Sequence, residues 1–210
     1  MKFLNFLKDK PAIKGLIGYY GLSEWWLSEF TEEEKNHILI TYTPFGSGAD
    51  SLLKDDYSYA NQSVVLFLSI LAGWFNNKRD RYLAIKILEK AELLISNDIL
   101  IMDIHIFYTQ MIKVHYSNRL IDPESLNKSI KACEKQIEIA PQVAKIFKAD
   151  LEDGFMPSHV GYTQLAIIKK KENKYQAVIE ICSKALNEGW RGDWENRINW
   201  GKKNQLILNL

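Results

Sequence analysis

Apolar and small residues recur at the same spacing in separate parts of the chain, and this repetition constrains the fold more than any other feature. Two sets of seven residues share the offsets 3, 4, 7, 16, 20 and 23 from their first member. The sets are Leu68, Leu71, Ala72, Phe75, Ala84, Leu88 and Ala91, and Tyr162, Leu165, Ala166, Lys169, Val178, Cys182 and Ala185. Spacings of three and four place side chains on one side of a helix, whereas a strand would alternate them between faces. We therefore predict an all-α protein in which each set is a pair of helices.

A third copy of the pattern lies between these two and has five extra residues between its halves. It consists of Tyr108, Met111, Ile112, His115, Ser129, Cys133 and Gln136. In the shared template the residue types are large, large, small and aromatic, followed by small, large and small. In the third copy, Gln136 departs from a small position and His115 occupies the aromatic position. Small residues let antiparallel helices approach, and large residues fill the gaps. Because one pair cannot bury both of its faces, we expect the three pairs to stack.

With a unit of about 34 residues, this pattern resembles the tetratricopeptide repeat family. The resemblance covers residues 65–98, 105–141 and 159–192, with Pro141 and Trp190 near the repeat end, where the family often has proline. It implies a short right-handed helical-repeat solenoid whose first helices line a concave groove that binds a protein or peptide. The C-terminal segment is also similar to the end of certain uncharacterised bacterial proteins with such repeats.

The remaining segments flank these pairs. We predict an N-terminal helical extension and loop over residues 1–60, a repeat domain over residues 61–210 and a capping helix over residues 193–204. In the extension, Thr31 and the three glutamates after it predict a capping box for a helix that runs to about Thr41. Pro11 suits a first helical turn. The stretch from Thr43 to about Tyr59 has proline and glycine but no helical pattern, and is predicted to be a loop.

Two further boundaries are predicted in the repeat domain. Asp122 and Pro123 suit the start of a helix. Near the C-terminus, Gly192 is expected to end one helix and Asp193 to cap the next. Trp190 and Trp194 are expected to seal the last open face of the stack.

The resemblance also assigns residues to the concave groove, because the first helix of each pair lines it. The predicted groove residues are Asn76, Asn77, Gln110, Lys113, Tyr116, Thr163 and Lys170. Asn77, Lys113 and Lys170 are polar donors suited to a peptide backbone or a carboxylate. The expected partner is a protein or peptide, which includes a second copy of this chain.

Two other functions stay open on the sequence alone. A hydrolase-type enzyme could use His159 with Asp193 or Glu195, and the His159, Asp193, Trp194 and Arg197 cluster is either structural or functional. Alternatively, the aromatic N-terminal portion around Trp25 and Trp26 could serve self-assembly.

Composition restricts the remaining classes. There are 27 Lys and Arg against 26 Asp and Glu, so the net charge of +1 favours neither nucleic acid nor an anionic membrane as a partner. The four histidines lack zinc-site spacings, and Cys133 and Cys182 are expected to be buried hydrophobes. No secretory leader pattern or span of roughly 20 apolar residues is present, so we expect a cytoplasmic protein without metal or cofactor.

Overall fold

The computed structural model describes residues 13–44, 48–150 and 156–208. Every regular element within these ranges is a helix, apart from an isolated bridge between Ser158 and Arg191, so the all-α prediction is confirmed. The helices are α1 (Gly15–Tyr19), α2 (Ser23–Glu29), α3 (Glu32–Thr41), α4 (Gly48–Leu53), α5 (Val64–Gly73), α6 (Arg81–Leu93), α7 (Ile101–Asn118), α8 (Pro123–Asp150), α9 (Val160–Lys171), α10 (Tyr175–Glu188) and α11 (Trp194–Leu208). They form two compact units, Met1–Val64 and Val65–Leu210.

In the N-terminal unit, α1 and α4 pack backbone to backbone. Gly15 has a φ of +61°, and a Cβ added there would overlap the backbone of Leu52. The Gly15 N–H donates to the carbonyl of Asp55 at 2.8 Å. Glycine permits both the left-handed conformation and the close approach. The core of this unit includes Ile17, Trp26, Ile38 and Leu52.

Helix α4 corrects the prediction of a loop over Thr43 to Tyr59. The helix forms because Leu52 is fully buried, and an ion pair of 2.8 Å joins Asp50 to Lys54 one turn later. Burial of one apolar side chain thus stabilises a helix that the local sequence pattern does not predict. Pro11 lies outside the described residues, so its predicted position in a helix has no counterpart here.

The predicted capping box at Thr31 is confirmed. The Thr31 hydroxyl accepts from the Glu34 N–H at 3.2 Å, and the Thr31 N–H donates to the Glu34 carboxylate at 2.9 Å. These bonds satisfy donors that the first turn of α3 would otherwise leave free.

Replacing Thr31 with alanine is expected to lower the unfolding free energy by about 1 kcal/mol, since the side-chain acceptor is lost. Thr31→Ser keeps the hydroxyl and serves as the matched control. Urea denaturation followed by circular dichroism measures both variants. Equal loss in the two would show that the methyl group, and not the cap, is responsible.

In the C-terminal unit, the template residues form the core. All seven of the first pair are fully buried, and so are most of those in the other two pairs; Tyr108 and Lys169 are half-buried. Helices α6 to α11 each pack on the next along the chain, and α7 also packs on α9. As predicted, α8 begins at Pro123, where the Asp122 carboxylate accepts from the Glu124 N–H at 3.0 Å.

The predicted helix end at Gly192 is wrong, and α8 and α11 run beyond residues 141 and 204, where the predicted segments end. Helix α8 continues through Pro141 to Asp150, because Val143 and Ala144 extend its buried face. Gly189, and not Gly192, ends α10. It has a φ of +90°, its N–H donates to Leu186, and the next N–H donates to Ala185. This is the Schellman arrangement, which requires a left-handed residue. Helix α11 begins at Trp194 as expected but runs to Leu208. None of the described helices is long and apolar enough to cross a bilayer.

Candidate functional site

Helix α7 packs on α9, and its Gln110 side chain reaches Gly73 at the end of α5. The Gln110 amide contacts Gly73, since a Cβ on that glycine would lie 3.4 Å from the amide nitrogen. On the other side of α7, the Lys171 ammonium donates to the Tyr116 hydroxyl at 3.0 Å. We define the α5–α7–α9 face as the surface of seven residues of these helices. It comprises Gly73, Gln110, Lys113, Tyr116, Thr163, Lys170 and Lys171.

By this definition the face includes five of the seven predicted groove residues. Lys113 and Lys170 are exposed, and Gln110, Tyr116 and Thr163 are half-buried. Lys171 is not among the predicted groove residues, because its contact with Tyr116 joins two different helices. The signal that could have identified it is the run of three lysines, residues 169–171, that ends α9.

The other two predicted groove residues, Asn76 and Asn77, have local roles in the turn between α5 and α6. The Asn77 side-chain oxygen accepts from the N–H groups of Arg79 and Asp80, both at 3.0 Å. Its amide nitrogen donates to the Asp80 carboxylate at 2.9 Å. Asn76 accepts from the Arg81 guanidinium at 3.2 Å. These hydrogen bonds stabilise the turn and occupy most of the polar atoms of the two side chains.

Helices α5, α7 and α9 carry charge of almost one sign. Within α5, α7 and α9, all of whose residues are described, the basic side chains are Lys113 and the three lysines 169–171. The one acidic side chain, Asp103, is buried. Lys169 is half-buried and pairs at 3.4 Å with Glu172, which follows α9, so the positive charge of the face comes from Lys113, Lys170 and Lys171.

The charge is concentrated around Tyr116. The Arg119 guanidinium lies 3.9 Å from the centroid of its ring, and the Lys171 ammonium bonds to its hydroxyl. Burial alone would raise the pKa of Tyr116, but the hydrogen bond from Lys171 and the charges of Arg119 and Lys171 outweigh it, so the pKa lies below its usual value.

Lys170 also borders a cavity of about 230 Å³ between α9, α10 and α11. The cavity is lined by Ala166, Lys170, Val178, Asp193, Asn196, Arg197 and Trp200. The Lys170 ammonium lies 4.4 Å from the centroid of the Trp200 ring, which is a cation–π distance. Asp193 precedes α11, where its carbonyl accepts from the Arg197 N–H at 3.3 Å and its carboxylate accepts from Asn196.

His159 belongs to a separate, buried aromatic cluster. Its ring centroid lies 4.6 Å from that of Trp190 and 5.1 Å from that of His105. Its Nδ1 accepts from the Tyr162 N–H at 3.3 Å and so caps α9. Burial lowers the pKa of His159 to about 3, helped by the neighbouring His105, and burial lowers the pKa of His105 to about 4. Both rings are therefore neutral at pH 7.

The structure does not bring the proposed hydrolase residues together. His159 is fully buried, whereas Asp193 and Glu195 are exposed and Asp193 lines the cavity beside Trp200. A ring that solvent does not reach cannot take a proton from an outside substrate. Trp194 is fully buried, and its indole N–H donates to the Trp190 carbonyl at 2.6 Å. His159 and Trp194 are thus buried structural residues that stabilise the C-terminal end of the unit.

Gln136 is a buried residue whose role the sequence did not reveal. Its amide nitrogen donates to the His105 carbonyl at 2.9 Å and to the Thr109 hydroxyl at 2.6 Å. Its amide oxygen accepts from the Gly161 N–H at 2.7 Å. One side chain of α8 thereby links α7 to the first turn of α9. The only sequence signal is a polar residue at a small template position.

The two cysteines are buried hydrophobes, as predicted. Burial raises the pKa of Cys133 to about 12 and that of Cys182 to about 11. Both thiols are therefore protonated and unreactive near neutral pH. Among the described residues, no group of three or more His, Cys, Asp or Glu side chains could hold a metal ion.

Comparison of the chain with protein-family models, with curated proteins and with solved structures gives no match in any of the three. The function therefore has to be inferred from the residues of the chain itself.

Proposed function

We propose that the protein is a binding scaffold in which three helix pairs stack as a tetratricopeptide-like solenoid, and that its α5–α7–α9 face binds an acidic segment of a partner protein. The observation that carries this proposal is the charge of the face, which combines exposed lysines with no exposed acidic side chain from the three helices. A carboxylate-bearing segment would complement it.

Two cavities at equivalent places support the repeated stacking. One, of about 340 Å³, lies between α6, α7 and α8, and the other, of about 440 Å³, lies between α8, α9 and α10. In the register of the template, Tyr108 and Met111 of the first correspond to Tyr162 and Leu165 of the second. Likewise, Lys135 corresponds to Lys184. Helix pairs that stack in the same way leave the same gap between them.

The dimensions of the face suit an extended segment. Packed helices are about 8–10 Å apart, and an extended chain advances about 3.3 Å per residue, so two or three residues span neighbouring helices. Lys113 of α7 and Lys170 of α9 would then bind carboxylates that are two or three residues apart. The Gln110 amide, about one turn before Lys113 and on the side of α7 toward Gly73, can bond to the backbone of the segment.

The test uses fluorescein-labelled hexaglutamate and fluorescence anisotropy at low salt. Wild type is expected to bind the peptide saturably, and the double variant Lys113→Glu with Lys170→Glu to bind at least about tenfold more weakly, since two attractions become repulsions. The matched control, Lys145→Glu with Lys184→Glu, makes the same charge change at exposed residues of α8 and α10. Equal weakening in the two double variants, or no saturable binding by wild type, would overturn the proposal.

A further inference from the structure

His115 of α7 is a polar side chain in an apolar position. It is 1% exposed, and in the register of the template it corresponds to Phe75 of the first pair. Neither Nδ1 nor Nε2 has a hydrogen-bond partner among the described residues. Packing alone would be served by an aromatic hydrocarbon, as it is at Phe75. A buried imidazole whose two nitrogens are unused points to a partner that is not part of the chain.

His115 lines the cavity of about 340 Å³ between α6, α7 and α8, which we call the His115 cavity. The lining residues are Glu89, Glu92, Tyr108, Met111, His115, Lys128, Lys131, Ala132 and Lys135. Helix α7 supplies an apolar floor of Tyr108 and Met111, in which the imidazole is the polar group. A volume of this size falls at the lower end of the range for small-molecule sites, roughly 300–1,000 Å³.

The walls of the His115 cavity are charged, with lysines in excess. Lys128 pairs with Glu89 at 3.1 Å, and Lys135 pairs with Glu138 at 2.9 Å. Lys131 is exposed and has no ion pair or hydrogen bond among the described residues. Glu92, which also lines the cavity and is exposed, likewise has no ion pair among the described residues. The lining thus has three lysines against two glutamates, and an anionic group in the cavity would lie toward Lys131 and away from Glu92.

The imidazole itself is neutral. Burial lowers the pKa of His115 to about 4, and the charge of nearby Lys128 also lowers it, against the opposing effects of Glu89 and Asp122. At pH 7 the ring therefore offers one N–H donor and one lone pair. Such a ring recognises a hydroxyl group, which can both accept from it and donate to it.

We propose that the His115 cavity is a binding site for a small anionic aromatic molecule. The ring of this ligand packs against Tyr108 and Met111, a hydroxyl substituent bonds to His115, and a carboxylate or phosphate lies toward Lys131. The site is distinct from the α5–α7–α9 face. Lys113 is two residues from both Met111 and His115, and about 3.6 residues per turn place it on the opposite side of α7.

The probes are 4-hydroxybenzoate and 4-hydroxyphenyl phosphate, which distinguish the two anionic groups. Two further compounds, 4-hydroxybenzamide and acetate, lack the charge and the ring respectively. Isothermal titration and the imidazole ¹⁵N shifts of His115 report binding to the full chain at pH 7. At least one anionic probe is expected to bind with a Kd below about 1 mM and to shift the His115 nitrogens, while the two control compounds bind at least about tenfold more weakly.

Three variants complete the test. His115→Phe keeps an aromatic ring and is expected to fold with undiminished stability but to bind at least about tenfold more weakly. Lys131→Gln is expected to weaken anion binding severalfold, and Lys113→Gln, on the opposite side of α7, to leave it unchanged. The proposal is overturned if neither anionic probe binds, if the neutral amide binds as tightly, or if His115→Phe binds like wild type.

Discussion

Lowering the pH from 7 to 5 is expected to destabilise the C-terminal unit strongly, because His105, His115 and His159 bind protons far less readily in the folded state. Burial is the main cause in all three, and it lowers their pKa values to about 4, 4 and 3. An unfolded histidine has a pKa of about 6.5. Between these values the unfolded chain holds more protons, so the unfolding free energy rises with pH.

The stabilisation is therefore complete above about pH 6.5 and is lost progressively as the pH falls toward about 4. Each histidine contributes up to about 1.4 kcal/mol per pH unit within this window. Three of them give up to about 4 kcal/mol per unit, which is comparable to the whole stability of a marginal domain.

Urea denaturation at several pH values between 4 and 7 measures the effect. The slope of the unfolding free energy against pH should correspond to roughly three protons in wild type and about two in His115→Phe. Because His115→Phe keeps an aromatic ring at the same buried position, the difference between the two slopes reports the proton of His115 and not a loss of packing. An unfolding free energy that stays constant from pH 7 to pH 5 would contradict the prediction.

The sequence predicted those parts of the fold that depend on residues close together in the chain. Spacings of three and four placed Leu68, Leu88 and Cys182 in the core, and the Thr31 cap needs only a neighbour three residues away. In contrast, α4 exists because Leu52 meets α1 nearly forty residues earlier. Burial against a distant helix can outweigh the local sequence pattern, so no short stretch of the sequence predicts α4.

The candidate site shows the same division between local and distant effects. The helical register predicted a helix that contains Gln110, Lys113 and Tyr116, and all three lie on α7, but the register could not show that Asn77 closes a turn onto Asp80. Nor could it show the bond from Lys171 to Tyr116, which joins residues of two different pairs. Which lysines share a surface depends on how the helices pack, and that arrangement is a property of the folded unit.

Replacing Gln136 with alanine is expected to lower the unfolding free energy by about 3–5 kcal/mol, although alanine stands at this template position in the other two pairs, as Ala91 and Ala185. The Gly161 N–H is in the first turn of α9, where no helical carbonyl can accept from it, and Gln136 is its acceptor. Alanine leaves this donor buried and unpaired, and it leaves a cavity.

Gln136→Leu separates the two causes, since leucine restores most of the volume but none of the hydrogen bonds. If the bonds are the main cause, the leucine variant loses nearly as much stability as the alanine variant, and hydrogen exchange at the Gly161 amide speeds up in both. If volume is the main cause, leucine recovers most of the loss. A loss below about 1 kcal/mol in Gln136→Ala would show that α7, α8 and α9 stay together by apolar packing alone. In that case the glutamine would be a tolerated departure from the repeat and not the link between its second and third pairs.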